Sequence, residues 1–209
     1  GILRLAVADA SVTSGDNARM DASPCNIAAS LPRLARERPD QVAIRCPSGG
    51  GRYDTALTYA QLDARSDAIA AGLAKYGIVR GTRTGIMVRP SPEFCLLMFA
   101  LFKAGAVPVL VDPGIDRRAL KQCLDEAQSE AFIGIPLAHV ARLLLGWSPS
   151  AKRWVTVGRR FGWGGTTLAR IERDGSNAGP QLADTRPDDI AGILFTSGST
   201  GVPKGVVYR

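Results

Sequence analysis

Residues 91–111 read SPEFCLLMFALFKAGAVPVLV, and the order of signals in them decides the fold class. Ser91, Pro92 and Glu93 supply an N-cap hydroxyl, a first-turn proline and a first-turn acid, three residue types that open a helix. The run from Phe94 to Phe102 is apolar throughout, which predicts a buried helix. Lys103 bounds it, and Gly105 supplies the left-handed turn on which a helix commonly ends. Ala106 to Val111 is then almost wholly apolar, as a strand is when both faces of its sheet are covered. A buried helix feeding such a strand is half of a βαβ unit.

The same plan repeats on both sides. Upstream, Thr84 to Val88 predicts the preceding strand. Thr58-x-x-Gln61 is a capping box opening a helix striped by Leu62, Ile69 and Leu73 and ended at Tyr76-Gly77. Val42, Ile44 and Cys46 alternate with their neighbours as a half-buried strand, Gly49 to Gly51 turn, and Tyr53 to Leu57 return as a hairpin partner. Ile27, Leu31 and Leu34 recur at helical spacing from Asn26 to Arg38, and Pro39 stops that pattern. Downstream, Asp116 caps a helix running to Gln128, Ala131 to Ile135 is a strand, and Pro136 opens a helix to Leu145. Trp154 to Val157 is a further strand ended by Gly158. Residues 159–188 are rich in Gly, Asp and Pro and poorly periodic, which predicts a winding connection before the strand Ile190 to Phe195. The fold class expected is α/β: a mainly parallel sheet flanked by helices, with right-handed crossovers. Residues 1–25, loose in composition from Ser11 to Asn17, are expected to form a flexible N-terminal arm, with Met20 a candidate natural start. Residues 26–209 hold the folded portion.

Composition narrows the function classes. Hydrophobic residues are 45% and charged residues 22% of the 209, enough apolar material for a core without covalent staples. Cys25, Cys46, Cys95 and Cys123 are far apart and include no C-x-x-C pair, so neither a disulfide scaffold nor a zinc cassette fits, and reduced thiols suit the cytoplasm. The net charge of +7 is spread over Arg33, Arg36 and Arg38, then Arg117 and Arg118, then Arg159 and Arg160. No run reaches the length of a basic tail, and aromatics at 6% leave few stacking platforms, so no nucleic-acid partner is expected. The most apolar run, Phe94 to Phe102, rises roughly 13 Å as a helix, under half of a bilayer core, so no membrane span is expected. Residues 1–19 hold only a short apolar stretch, Leu5 to Val7, so they are not expected to be a secretory signal.

The chemistry is concentrated near the carboxyl end. Behind the strand come Thr196, Ser197, Gly198, Ser199, Thr200, Gly201, Val202, Pro203, Lys204 and Gly205, and then Val206, Val207 and Tyr208. Three glycines let backbone N–H groups approach a ligand closely. Hydroxyls at 196, 197, 199 and 200 add directional donors, and Lys204 adds a point charge after the stiff Pro203. Amides, hydroxyls and one ammonium converging on one loop suit a polyanion, above all a nucleotide's phosphates. The spacing is not that of a Walker A loop, because Val202 and Pro203 separate Gly201 from Lys204 and glycine follows the lysine; no G-x-G-x-x-G fingerprint is present either.

The string Thr-Ser-Gly-Ser-Thr-Gly-x-Pro-Lys-Gly resembles the phosphate-binding signature of the adenylate-forming superfamily, which includes acyl-CoA synthetases, fatty-acyl-AMP ligases and peptide-synthetase adenylation domains. The upstream order agrees: Leu57-Thr58-Tyr59-x-x-Leu62, Gly81, the helix ending Lys103-Ala104-Gly105-Ala106-Val107-Pro108, and Asp112-Pro113. Within the superfamily, residues 99–114 and Cys123-Leu124-Asp125-Glu126-Ala127 look most like the β-lactone-forming branch of bacterial long-chain olefin biosynthesis. The resemblance covers about residues 26–209 and implies the N-terminal part of the large domain of such an enzyme. It implies Mg-ATP as co-substrate and a long-chain acyl or β-hydroxy acid as the second substrate. It also implies other olefin-pathway enzymes as partners. Thr196, Ser197, Gly198, Ser199, Thr200, Gly201, Lys204 and Gly205 would hold the phosphates. The superfamily's Thr-Glu pair, ribose-binding Asp and late catalytic Lys have no counterpart within these residues, so the 209-residue chain is expected to hold no catalytic residue and not to turn over alone. A fatty-acyl-CoA synthetase or fatty-acyl-AMP ligase, or a non-catalytic nucleotide-binding module that kept the loop, are the other readings.

Other reactive side chains read as structural. His139 sits on an apolar helix as surface or packing, Cys95 in the buried run as a small hydrophobe. Asp125 and Glu126, adjacent on a helix, point apart and read as solvated rather than as metal ligands. Trp147, Trp154 and Trp163 are expected to cover core or connection rather than an acyl pocket.

Overall fold

A computed structural model describes residues 25–48, 52–112, 114–196 and 204–209. The arm expected over 1–25 therefore lies outside the described residues apart from Cys25, and so does the turn at Gly49 to Gly51. The chain opens with helix α1 (Leu31–Glu37), followed by a separate antiparallel hairpin, β1 (Val42–Ser48) and β2 (Arg52–Thr58). Helix α2 (Tyr59–Lys75) then leads into β3 (Arg83–Met87), α3 (Pro92–Ala104), β4 (Val107–Val111), α4 (Arg117–Glu126), β5 (Ala131–Gly134), α5 (Pro136–Leu145) and β6 (Arg153–Thr156). Strand β7 (Thr166–Thr167), α6 (Leu168–Gly175), β8 (Gly192–Thr196) and β9 (Lys204–Tyr208) complete it. Seven strands form one sheet in the order β7-β6-β5-β3-β4-β8-β9, parallel at every pairing except β8 with β9.

Local chemistry places the helix ends. The Thr58 hydroxyl accepts from the Gln61 amide at 3.2 Å while the Gln61 side chain accepts from the Thr58 amide at 3.0 Å, so both halves of the capping box form. The Ser91 hydroxyl accepts from the Phe94 amide at 3.2 Å, and Gly105 ends α3 in the left-handed region at φ 67°. The Asp116 carboxylate accepts from the Ala119 amide at 3.1 Å at the head of α4.

The period-2 alternation of the central strands sorts the core into two faces. Ile86, Ile133 and Val155 point toward α2, α3 and α6, in one cluster with Ile69, Leu73, Leu97, Leu101 and Ile171 of those helices. Their neighbours Met87, Phe132 and Trp154 point the other way, toward Leu124 of α4 and Ala138 and Ala141 of α5. Helices therefore cover both faces, as the apolar strands require. Between α2 and α3 sits a buried cation. The side chain of Lys103 is 0% exposed, and its Nζ lies 2.6 Å from Asp63 Oδ1 and 2.7 Å from Asp67 Oδ1, with the Asp63 carbonyl accepting at 3.0 Å. Two carboxylates and a carbonyl offset the cost of dehydrating the ammonium.

Three expectations need correction. The first helix begins at Leu31, not Asn26: residues 27–30 form a turn, Pro32 lies in the helix's first turn, Ala28 is buried and Ile27 is exposed. The alternation in β1 is interrupted by register shifts between Val42 and Ile44 and between Cys46 and Ser48, which leaves Val42 exposed and Cys46 buried. Residues 159–188 are not wholly a winding connection, for they contain β7 and α6. Thr167 caps α6 by accepting from the Arg170 amide at 3.2 Å, and Leu168 and Ile171 anchor the helix in the core. Its contact with α2 is backbone to backbone. A Cβ on Gly72 would lie 1.9 Å from the Ile171 carbonyl oxygen, and one on Gly175 would lie 1.9 Å from that of Ala68. A bidentate ion pair of Arg65 with Glu172, at 2.6 and 3.1 Å, closes the same interface and holds the Arg65 pKa above its ordinary value.

Candidate functional site

Strand β8 is the structural root of the hydroxyl-rich loop. It pairs in parallel with β4 through Val109↔Ile193, Leu110↔Leu194 and Val111↔Phe195, and antiparallel with β9 through Phe195↔Gly205 and Thr196↔Lys204. Thr196 and Lys204 therefore face one another across the last rung of the ladder, both exposed. Ser197, Gly198, Ser199, Thr200 and Gly201 lie outside the described residues; Gly205 is half-buried in β9. The core residue Phe195, 1% exposed, fixes the strand from below. Beside this root the Asp112 amide donates to the Phe195 carbonyl at 3.0 Å, and the Asp112 carboxylate accepts from the Gly114 amide at 2.9 Å.

The rung stands at the carboxyl edge of the parallel strands. The chain passes from β3 to β4 on one side and then returns to β5 on the other, so the sheet reverses its winding between β3 and β5, with β4 and β3 lying between β8 and that point. In open α/β sheets ligands bind outside the carboxyl ends of strands near such a reversal. What the loop offers there is hydroxyls, amides and one ammonium, a donor set suited to anionic oxygens.

The remaining reactive groups take structural places. His139 is fully buried, with Nε2 3.0 Å from the Val155 carbonyl and its ring stacked at 5.5 Å on Trp163; burial lowers its pKa. The Cys95 thiol is half-buried beside Cys46, and burial pushes its pKa up to about 11. Cys123 is buried and likewise raised to about 11. Both shifts are opposite to what a nucleophilic thiolate needs. Asp125 pairs with Lys121 at 2.6 Å. Among the described residues no group of three or more His, Cys, Asp or Glu is placed to hold a metal ion. Trp147 and Trp154 join the core beneath α5, and Trp163 donates from Nε1 to Thr156 Oγ1 at 3.0 Å.

Two features escaped the sequence reading. The Lys103 ion cluster is one; its signal was the pair Asp63 and Asp67, four apart on α2, opposite a lysine that closes an apolar run. The other is a groove of about 670 Å³ between α5 and the ends of β3 and β5. Its signal was Leu143-Leu144-Leu145, since three successive residues on a helix cannot all face one core.

A family model described as AMP-binding enzyme matches residues 31–209. Over 200 residues the chain is 76% identical to the olefin beta-lactone synthetase of Xanthomonas campestris pv. campestris, covering 93% of this chain and 36% of that protein. It is 77% identical over 192 residues to the protein of the same name from Stenotrophomonas maltophilia, covering 89% of this chain and 35% of that one. The chain thus spans about a third of the length of these relatives. Among solved structures it superposes on the anthranilate CoA ligase AuaEII in complex with anthranoyl-AMP with a TM-score of 0.77 at 20% identity, covering 90% of this chain and 35% of that one, a likeness of fold. On the inhibitor-bound N-terminal domain of FACL13 from Mycobacterium tuberculosis the TM-score is 0.73 at 27% identity, covering 88% and 44%.

Proposed function

The chain belongs to the AMP-binding enzyme family, and from that membership we propose that it supplies the triphosphate-gripping part of a ligase that activates a carboxylate as its acyl-adenylate. The observation that carries the reading furthest is the 76% identity, over 93% of the chain, to a protein named for β-lactone synthesis. Residues 26–209 are then the N-terminal portion of the AMP-binding domain, working in the cytoplasm.

In this reading a carboxylate oxygen bonds to the α-phosphorus of ATP while the bond from that phosphorus to the bridging oxygen breaks, and pyrophosphate leaves. Thr196, Ser197, Ser199 and Thr200 donate hydroxyl hydrogens to the β- and γ-phosphates, the amides of Gly198, Gly201 and Gly205 line the approach, and Lys204 neutralises charge as it builds on the leaving group. Donors fixed before the reaction cost no reorganisation when that charge appears, which is where the rate gain lies. The loop contains no carboxylate, so a magnesium ion would be held chiefly by the phosphates and would screen their mutual repulsion. The second substrate is a long-chain β-hydroxy acid. Its own hydroxyl oxygen attacks the activated carbonyl and loses its proton to solvent, the C–O bond to AMP breaks, and a four-membered lactone forms for use by the other enzymes of olefin synthesis. Intramolecular attack gains from enforced proximity and needs no second acyl acceptor.

Product analysis of the full-length enzyme with ATP and a long-chain β-hydroxy acid tests this. The expected result is AMP, pyrophosphate and a β-lactone in the absence of CoA. A thioester formed only when CoA is added would replace lactone formation with CoA ligation, and no AMP under either condition would remove the ligase reading altogether.

A further inference from the structure

We draw no further inference here: the strongest candidate, the apolar groove between α5 and the ends of β3 and β5 with the exposed leucines of α5 beside it, carries nothing because nothing in the structure shows what covers it.

Discussion

Replacing Lys103 with methionine keeps the buried stem and removes only the ammonium. Asp63 and Asp67 would then face the same small space without their shared cation. Both Oδ1 atoms lie within 2.7 Å of Nζ, so they are no more than roughly 5 Å apart, and at an effective dielectric of about 20 the repulsion of two full charges is ~3 kcal/mol. The carboxylates keep 19% and 13% of their side-chain exposure, so water access relieves part of this while the lost ion-pair hydrogen bonds add to it. Removing one member of a buried pair typically costs about 3–5 kcal/mol, and ~3 kcal/mol is the expected loss here. For a chain of this size that lowers the melting temperature by about 6–12 °C. Urea unfolding at pH 7 measures it. Adding Asp63→Asn and Asp67→Asn to Lys103→Met removes the repulsion and should recover most of the loss, a non-additivity that identifies coupling rather than packing. A single variant that loses under about 1 kcal/mol, or a triple variant no more stable than the single, would refute the reasoning.

Gly72→Ala should destabilise by about 2–4 kcal/mol despite the gain of about 1 kcal/mol in helix propensity, because its Cβ would meet the Ile171 carbonyl oxygen at 1.9 Å; an unchanged melting curve would mean α2 and α6 do not touch backbone to backbone. Thr58→Ala removes one half of a formed capping box and should cost about 1 kcal/mol by urea unfolding. His139 has a folded pKa below its ordinary 6.5. As pH falls below that value the unfolded chain takes up the proton and the folded one does not, so stability falls toward the folded pKa. Its slope reaches about 1.4 kcal/mol per pH unit for one proton. The stability of wild type minus that of His139→Gln should therefore decline between pH 7 and 5, and parallel curves would show that the ring does not titrate differently on folding.

Elements whose ends carry local chemistry were legible in the sequence. Thr58 with Gln61, Ser91 with Pro92, Gly105, and Pro136 announce helix ends through side-chain or backbone conformations that act within a few residues. The central strands were legible because burial on both faces leaves continuous apolar runs. Helix α6 was not, since it has eight residues, only Leu168 and Ile171 as large core anchors, and a polar tail from Glu172 to Asp174. It is held by glycines that let it press on α2, a tertiary fact without local periodicity. The ion cluster at Lys103 is hidden for the same reason, its partners lying on another helix 36 and 40 residues away. Of the loop, the residue types were plain in the sequence, and the structure adds the rung Thr196↔Lys204 from which it springs.

A crystal structure of the full-length enzyme with bound ATP addresses the phosphate-gripping role of residues 196–205 most directly. The β- and γ-phosphate oxygens should lie within about 2.7–3.2 Å of the loop's hydroxyls and amides, with the Lys204 ammonium alongside. A nucleotide seated elsewhere, with that loop folded against its own neighbours, would contradict it.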